Sequence, residues 1–125
     1  MAISSYSIVR PEHLNHHGFL FGGQLLLWVD ELAWLAAAKE NPTCRLVTRA
    51  MDKIDFHARA PLGSILRFDA VQVRRGKTSL SYTVDVFSDA PGASSETLIF
   101  STTVIFVNVD ENGNKIDLCC VDSEL

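Results

Sequence analysis

The spacing of apolar residues changes once along this chain, and the change separates a helical part from a stranded part. Gln24-Leu25-Leu26-Leu27-Trp28-Val29-Asp30-Glu31-Leu32-Ala33-Trp34-Leu35-Ala36-Ala37-Ala38 is apolar except for its two acids and the leading Gln24. It predicts one long helix over about 22–39, ending near Asn41-Pro42, where the proline disfavours a helical residue before it. After Pro42 the period drops to two: Leu46, Thr48, Ala50, Ile54 and Phe56 share a mostly apolar face, alternating with Arg49, Lys53 and Asp55. Pro61-Leu62-Gly63 predicts a turn into a strand from Ile65 to Arg75, and Arg75-Gly76-Lys77 a tight turn into the next. That strand, Ser79 to Phe87, alternates most cleanly, with Leu80, Tyr82, Val84 and Val86 on one face. Leu98 to Val109 is apolar on both faces, as a covered central strand would be. Asn112-Gly113 signals a turn toward a short final strand around Lys115–Leu118. Ahead of the helix, residues 3–9 read as an edge strand and Pro11 to Phe21 as a loop.

The predicted order is therefore strand, long helix, then four meandering strands, an α+β fold whose helix buries its stripe on an antiparallel sheet of five strands. A chain of 125 residues holds one core, so residues 1–125 are read as a single domain with 115–125 as a short strand or tail. One helix on five strands leaves a sheet edge unpaired, and pairing two copies edge to edge closes it. A homodimer at least is expected.

Composition narrows the class. With 47% hydrophobic and 21% charged residues the chain reads as an ordinary globular protein, and a net charge of −4 speaks against nucleic acid as the main partner. Met1 to Arg10 lacks a basic region followed by an apolar one, and Asp30 and Glu31 break the longest apolar stretch. Neither a secretory signal nor a membrane span is expected. Cys44, Cys119 and Cys120 form neither a disulfide framework nor a zinc pattern, which points to a reducing cytoplasmic compartment.

Candidate chemistry concentrates in Asn15-His16-His17-Gly18-Phe19-Leu20-Phe21-Gly22-Gly23 and the acid that follows on the helix, Asp30. An ionised carboxylate in apolar surroundings is costly unless it is paired or serves a site. Asp30 has Leu26, Leu27, Ala33 and Trp34 as helical neighbours, but Glu31 has Leu27, Trp34 and Leu35, so spacing does not choose between them. Gly22-Gly23 is either a flexible helix start or a pair of backbone donors for an oxyanion. Asn15 either closes an Asx-turn or orients a substrate. His13, His16 and His17 lack ligand spacing, and the adjacent pair would point apart in an extended loop, so no metal is expected. His57 reads as a polar strand residue or as a contact to substrate or to another subunit. Arg74, Arg75 and Lys77 form a solvated hairpin tip or, with Gly76, Thr78 and Ser79, a phosphate cradle, with Arg59 a further candidate for the same charge. Phe19, Leu20 and Phe21 are acyl-channel residues or plain core.

The element order and the pattern Asn15-x-x-Gly18-x-x-Phe21-Gly22-Gly23-x6-Asp30 resemble the hot-dog-fold acyl-CoA thioesterases, in particular the bacterial YciA type. The likeness continues through Val47-Thr48, Asp55-Phe56, Leu62-Gly63 and Arg75-Gly76-Lys77-Thr78-Ser79, and covers about residues 7–109. It departs at Gly63-Ser64, where the family often has Gly-Asp, and in the basic residues flanking Arg75-Gly76. The resemblance implies a helix wrapped by a five-stranded sheet, two subunits joined through the sheet edge, and sites at the dimer interface, with further assembly as dimers of dimers or trimers of dimers. It implies that Asp30 is the catalytic carboxylate, that Asn15 of the facing subunit is its partner, and that the Gly22 and Gly23 amides stabilise an oxyanion. Arg59, Arg74, Arg75, Gly76, Lys77, Thr78, Ser79, Phe19 and Phe21 become candidate substrate contacts. The implied reaction is hydrolysis of acyl-CoA to a free acid and coenzyme A, with no metal or redox cofactor. A non-catalytic acyl-CoA-binding module and a hot-dog hydratase or dehydratase are the competing readings.

Overall fold

The computed structural model describes residues 2–118. The chain runs β1 (Ala2–Ile8), a short 3-10 turn (Pro11–His13), α1 (Gly22–Glu40), β2 (Leu46–Phe56), β3 (Ile65–Arg75), β4 (Ser79–Asp89) and β5 (Thr97–Asn108). All strand pairs are antiparallel, in the order β1-β3-β4-β5-β2.

That order corrects the expected four-strand meander. Only β3, β4 and β5 follow one another across the sheet; β2 lies at the far edge beside β5, and residues 57–64 carry the chain across to β3. β5 thus has a hydrogen-bonded neighbour on each edge, β4 and β2. Both outer strands, β1 and β2, present open edges among the described residues.

One face of α1 packs on the sheet through Leu25, Val29, Leu32, Ala33, Ala36 and Ala37, at the spacing of a single helical stripe. Beneath them lie Leu66 and Phe68 of β3, Tyr82 and Val84 of β4, and Phe100 and Phe106 of β5. Each fully buried large side chain contributes about 1.5–3 kcal/mol. The alanines let the second half of the helix approach the sheet closely.

The helix end is tied down by polar contacts. Asn41 is buried and donates through its amide to the Ala37 carbonyl (2.9 Å), while its Oδ1 accepts from Arg75 (2.9 Å). A cation there also complements the negative end of the helix dipole. The buried Tyr82 hydroxyl donates to the Glu40 carboxylate, and burial together with that hydrogen bond raises the phenol pKa above its usual value.

β2 is not the regular strand its alternation predicts. The register slips between Thr48 and Ala50 and again between Asp52 and Asp55, and Lys53 takes a left-handed backbone (φ 56°). Each bulge resets which side chains face inward. Met51 therefore packs against the core, and Ile54, expected on the apolar face, is 43% exposed. The expected final strand reduces to one bridge, Val109 to Lys115, with hydrogen bonds from Ile116 N–H to the Asn108 carbonyl (3.0 Å), from the Asn108 side-chain amide to the Asp117 carbonyl (2.9 Å) and from Leu118 N–H to the Lys77 carbonyl (2.9 Å). The rest of the 115–125 tail, with Cys119 and Cys120, lies outside the described residues.

Candidate active site

The loop before α1 folds on itself. The Asn15 Oδ1 accepts from the backbone N–H of His17 (2.9 Å) and Phe19 (3.2 Å), and Gly18 supplies the left-handed turn at φ 87°. Asn15 thus forms the Asx-turn, and this leaves its amide NH2 without a partner among the described residues, on a rigid loop. The loop is anchored by Leu20 N–H to the Ala60 carbonyl (2.9 Å) and Phe21 N–H to the His13 carbonyl (2.8 Å).

At the helix start the cap residue Phe21 provides no side-chain acceptor. The amides of Gly22, Gly23 and Gln24 consequently have no acceptor among the described residues, as expected of an uncapped first turn. The two glycines differ in the space around them. A Cβ on Gly23 would stand 2.6 Å from the Phe21 ring, and one on Gly22 would touch Phe56 at 3.5 Å.

Further along the helix, Asp30 is half-buried, and the Thr48 hydroxyl of β2 donates to its Oδ1 at 2.7 Å. Glu31 is exposed and lines a different groove, of about 230 Å³, between β1 and α1. The structure therefore separates two acids that spacing left equal. Sequence reasoning assigned no role to Thr48, although Val47-Thr48 belongs to the pattern that carries the resemblance. The missing signal is the register of β2, since only its alignment against α1 shows which hydroxyl reaches the carboxylate.

Asp30 belongs to a helix stripe of Gly23, Leu27, Asp30 and Trp34 that borders the open edge of β2. Trp34 Nε1 donates to the Leu46 carbonyl (2.8 Å), and the helix start meets Phe56. Leu27 is 60% exposed, Phe56 50% and Trp34 41%. In this single chain Asp30 and the uncapped glycines are far apart, because eight residues of helix span about 12 Å.

A cavity of about 540 Å³ opens beside Gly22. Leu20, Leu25, Phe56 and Ile99 line it together with His57 and Arg59. The Arg59 guanidinium lies 4.5 Å from the centre of the Phe19 ring. Phe21 is exposed at the helix start. The basic turn lies elsewhere: Arg75 reaches Asn41 at the C-terminal end of α1, about 27 Å along the helix from Gly22. Arg74 and Lys77 are exposed there, while Gly76 N–H bonds the Ser79 carbonyl (2.8 Å) and Thr78 is half-buried.

The histidines have local partners. His13 Nδ1 accepts from Arg10 N–H (3.0 Å) and its ring meets Trp28 edge-on at 4.7 Å. His16 and His17 stack at 3.9 Å, where an extended loop would have turned them apart; the tight Asx-turn bends the backbone between them. No group of three His, Cys, Asp or Glu among the described residues is arranged to hold a metal ion, and no helix is long and apolar enough to cross a membrane.

The thioesterase superfamily profile matches residues 17–94. An uncharacterized acyl-CoA thioester hydrolase of Zymomonas mobilis is 33% identical over 105 residues, covering 84% of this chain and 70% of that protein. Among solved structures, an acyl-CoA hydrolase of Staphylococcus aureus in complex with butyryl coenzyme A and coenzyme A is 27% identical. It superimposes with a TM-score of 0.84 over 94% of this chain and 71% of that one. The same enzyme was solved as three variants, with alanine replacing an asparagine, an aspartate and a threonine. An apo-hexameric acyl-CoA thioesterase is 30% identical, with a TM-score of 0.86 over 99% of this chain and 79% of that one. The single helix on a five-stranded antiparallel sheet is the hot-dog fold, and the chain belongs to the thioesterase superfamily, among its acyl-CoA thioester hydrolases.

Proposed function

We propose that this protein hydrolyses acyl-CoA in a homodimer, each site joining Asp30 of one copy to Asn15, Gly22 and Gly23 of the other. The observation that carries this reading is the separation within one chain. Reacting groups must lie about 3–3.5 Å apart, whereas the carboxylate and the glycine amides are about 12 Å apart along one rigid helix. Two copies related by a two-fold axis, with their β2 edges antiparallel, bring the two halves together. If Thr48 of one copy stands opposite Phe56 of the other, the axis passes near Asp52 and Leu27. The exposed Leu27, Ile54 and Phe56 then become buried at the seam.

In such a site Thr48 orients Asp30 by hydrogen bonding to one of its oxygens. Acting as general base, Asp30 takes a proton from the water that attacks the thioester carbon, and the Gly22 and Gly23 amides stabilise the oxyanion. Collapse expels the coenzyme A thiolate, a good leaving group that needs no strong acid. The alternative, attack by Asp30 itself, forms a mixed anhydride that water then opens. The free NH2 of Asn15 positions the water or the carbonyl. Antiparallel helices also carry the basic turn of the Asp30-donating copy toward this site, so Arg74 and Lys77 are candidates for the coenzyme A phosphates.

The three alanine variants of the S. aureus hydrolase support the assignment. Its replaced asparagine precedes the aspartate by the same interval that separates Asn15 from Asp30. Its threonine follows the aspartate by one position fewer than Thr48 follows Asp30. We also place the protein in the cytoplasm and expect its dimers to assemble further, which the mass in solution measures. The proposed chemistry uses only side chains, amides and water, so treatment with a chelator should leave the rate unchanged.

A thiol-release assay on acyl-CoA tests the reading. Asp30→Asn should lose at least ~100-fold in rate while folding normally. Refolding Asp30→Asn together with Asn15→Ala should restore up to about a quarter of parent activity, because half the dimers are mixed and each holds one intact site. No recovery on mixing would show that the site is not shared. Binding of acyl-CoA without turnover by the parent would favour the non-catalytic module.

A further inference from the structure

The cavity beside Gly22 has an apolar floor and a cationic mouth. Leu20, Leu25, Phe56 and Ile99 form the floor, and among the described residues the only ionisable ones on its lining are His57 and Arg59. Arg59 makes no ion pair among the described residues, although acids outnumber Lys and Arg by 15 to 11 in the chain. Nor is its guanidinium loose in solvent, because it lies over the Phe19 ring, in the loop that also fixes Asn15. Such stacking orients a guanidinium while leaving its N–H edge free for bidentate bonds. His57 is held through its backbone N–H on the Ile99 carbonyl (2.8 Å), and its Nε2 stands 3.6 Å from the Asp55 carboxylate, too far for a hydrogen bond but within ion-pair distance of a protonated ring. Two donors thus converge on a cavity that also contains one of the uncapped glycines.

We infer that His57 and Arg59 form an anion-holding pair at the mouth of this cavity and select for a carboxylate or phosphate group carried by the thioester. The inference rests on the reading that Gly22 and Gly23 hold the thioester carbonyl. A compact cavity of 540 Å³ is about 10 Å across. An extended chain advances about 1.2 Å per bond, so a short acyl chain ending in a carboxylate reaches the mouth from inside. The coenzyme A pyrophosphate, roughly a dozen bonds or about 15 Å from the sulfur by the same measure, reaches it from outside. Both sources present the same anionic oxygens to the same two donors.

Three thioesters distinguish the sources. Butyryl-CoA and succinyl-CoA have acyl chains of equal carbon number, one ending in a methyl and the other in a carboxylate; butyryl-pantetheine lacks the phosphates. With an acyl carboxylate as the anion, the parent prefers succinyl-CoA over butyryl-CoA in kcat/KM, and Arg59→Ala cuts that ratio at least ~10-fold, as expected for losing a charge-assisted hydrogen bond. With a phosphate as the anion, the parent prefers butyryl-CoA over butyryl-pantetheine, and Arg59→Ala cuts that ratio instead. His57→Ala should lower the same ratio by a smaller factor. Ratios unchanged from the parent in both variants would overturn the inference while leaving thioester hydrolysis intact. If the parent turns over none of the three, the catalytic reading fails, and calorimetric binding of coenzyme A and succinyl-CoA decides the anion site. Weaker binding by Arg59→Ala then supports it, and equal affinities overturn it.

Discussion

At the scale of single residues, the informative pair is Asp30 and Thr48. A carboxylate on an apolar helix was visible in the sequence, but two adjacent acids satisfied the description, and only the packed helix distinguishes them. Asp30 meets a hydroxyl at 2.7 Å, whereas Glu31, about 100° further round the helix, lines the groove against β1. Thr48→Val keeps the shape and deletes the donor. It should lower kcat by about 10-fold or more with little change in KM, since a hydrogen bond to a charged group contributes about 1.5–3 kcal/mol. Steady-state kinetics reads the split. Glu31→Gln, in the same assay, should stay within about twofold of the parent, the usual tolerance of exposed substitutions. Asn15 shows a different limit. The sequence offered an Asx-turn or a site role, and the structure makes the two compatible, because the turn uses only the Oδ1.

At the scale of elements, the boundaries and type of α1 were legible because apolar period and the Asn41-Pro42 stop agree. Its functional asymmetry was less so. The start is uncapped and the end is over-tied by Asn41, Arg75, Glu40 and Tyr82, and the second half depends on contacts between residues more than thirty positions apart. Such contacts leave no local trace, so the hydrogen bond from Arg75 to Asn41 at the helix end was not legible in its basic turn. Tyr82→Phe removes the donor to a carboxylate whose other oxygen is buried without a partner among the described residues. Unfolding experiments should show a loss of about 1–3 kcal/mol. The opposite end should behave differently. Gly23→Ala forces the exposed Phe21 ring aside, yet alanine suits a helix better than glycine by up to about 1 kcal/mol. The expected result is a thermal midpoint no lower than the parent's with turnover reduced about 10-fold, as for losing an oriented oxyanion donor in part. β2 defeated a reading by alternation because its two bulges each shift the side-chain phase.

At the scale of the whole molecule, the five strands and the covering helix were predictable, but the path between strands was not. Strand order depends on which edges pair, and periodicity carries no information about that. The sequence suggested an unpaired edge in need of a mate; among the described residues the sheet has two open edges, β1 and β2, and the proposed seam uses β2, whose Ile54 and Phe56 are exposed in a lone chain. Substituting Ile54 by Lys at this seam should halve the apparent mass in sedimentation and abolish turnover together, since a charge buried there would be unpaired.

The uncovered stripe of Leu27, Trp34 and Phe56 has one more consequence. On the proposed pairing, a chain whose Asp30 and glycine amides sit about 12 Å apart by the helical rise holds only half a catalyst, so the active species would be set by protein concentration. Serial dilution toward the dissociation constant should make specific activity decline and then recover when substrate, by bridging two chains, draws them back together.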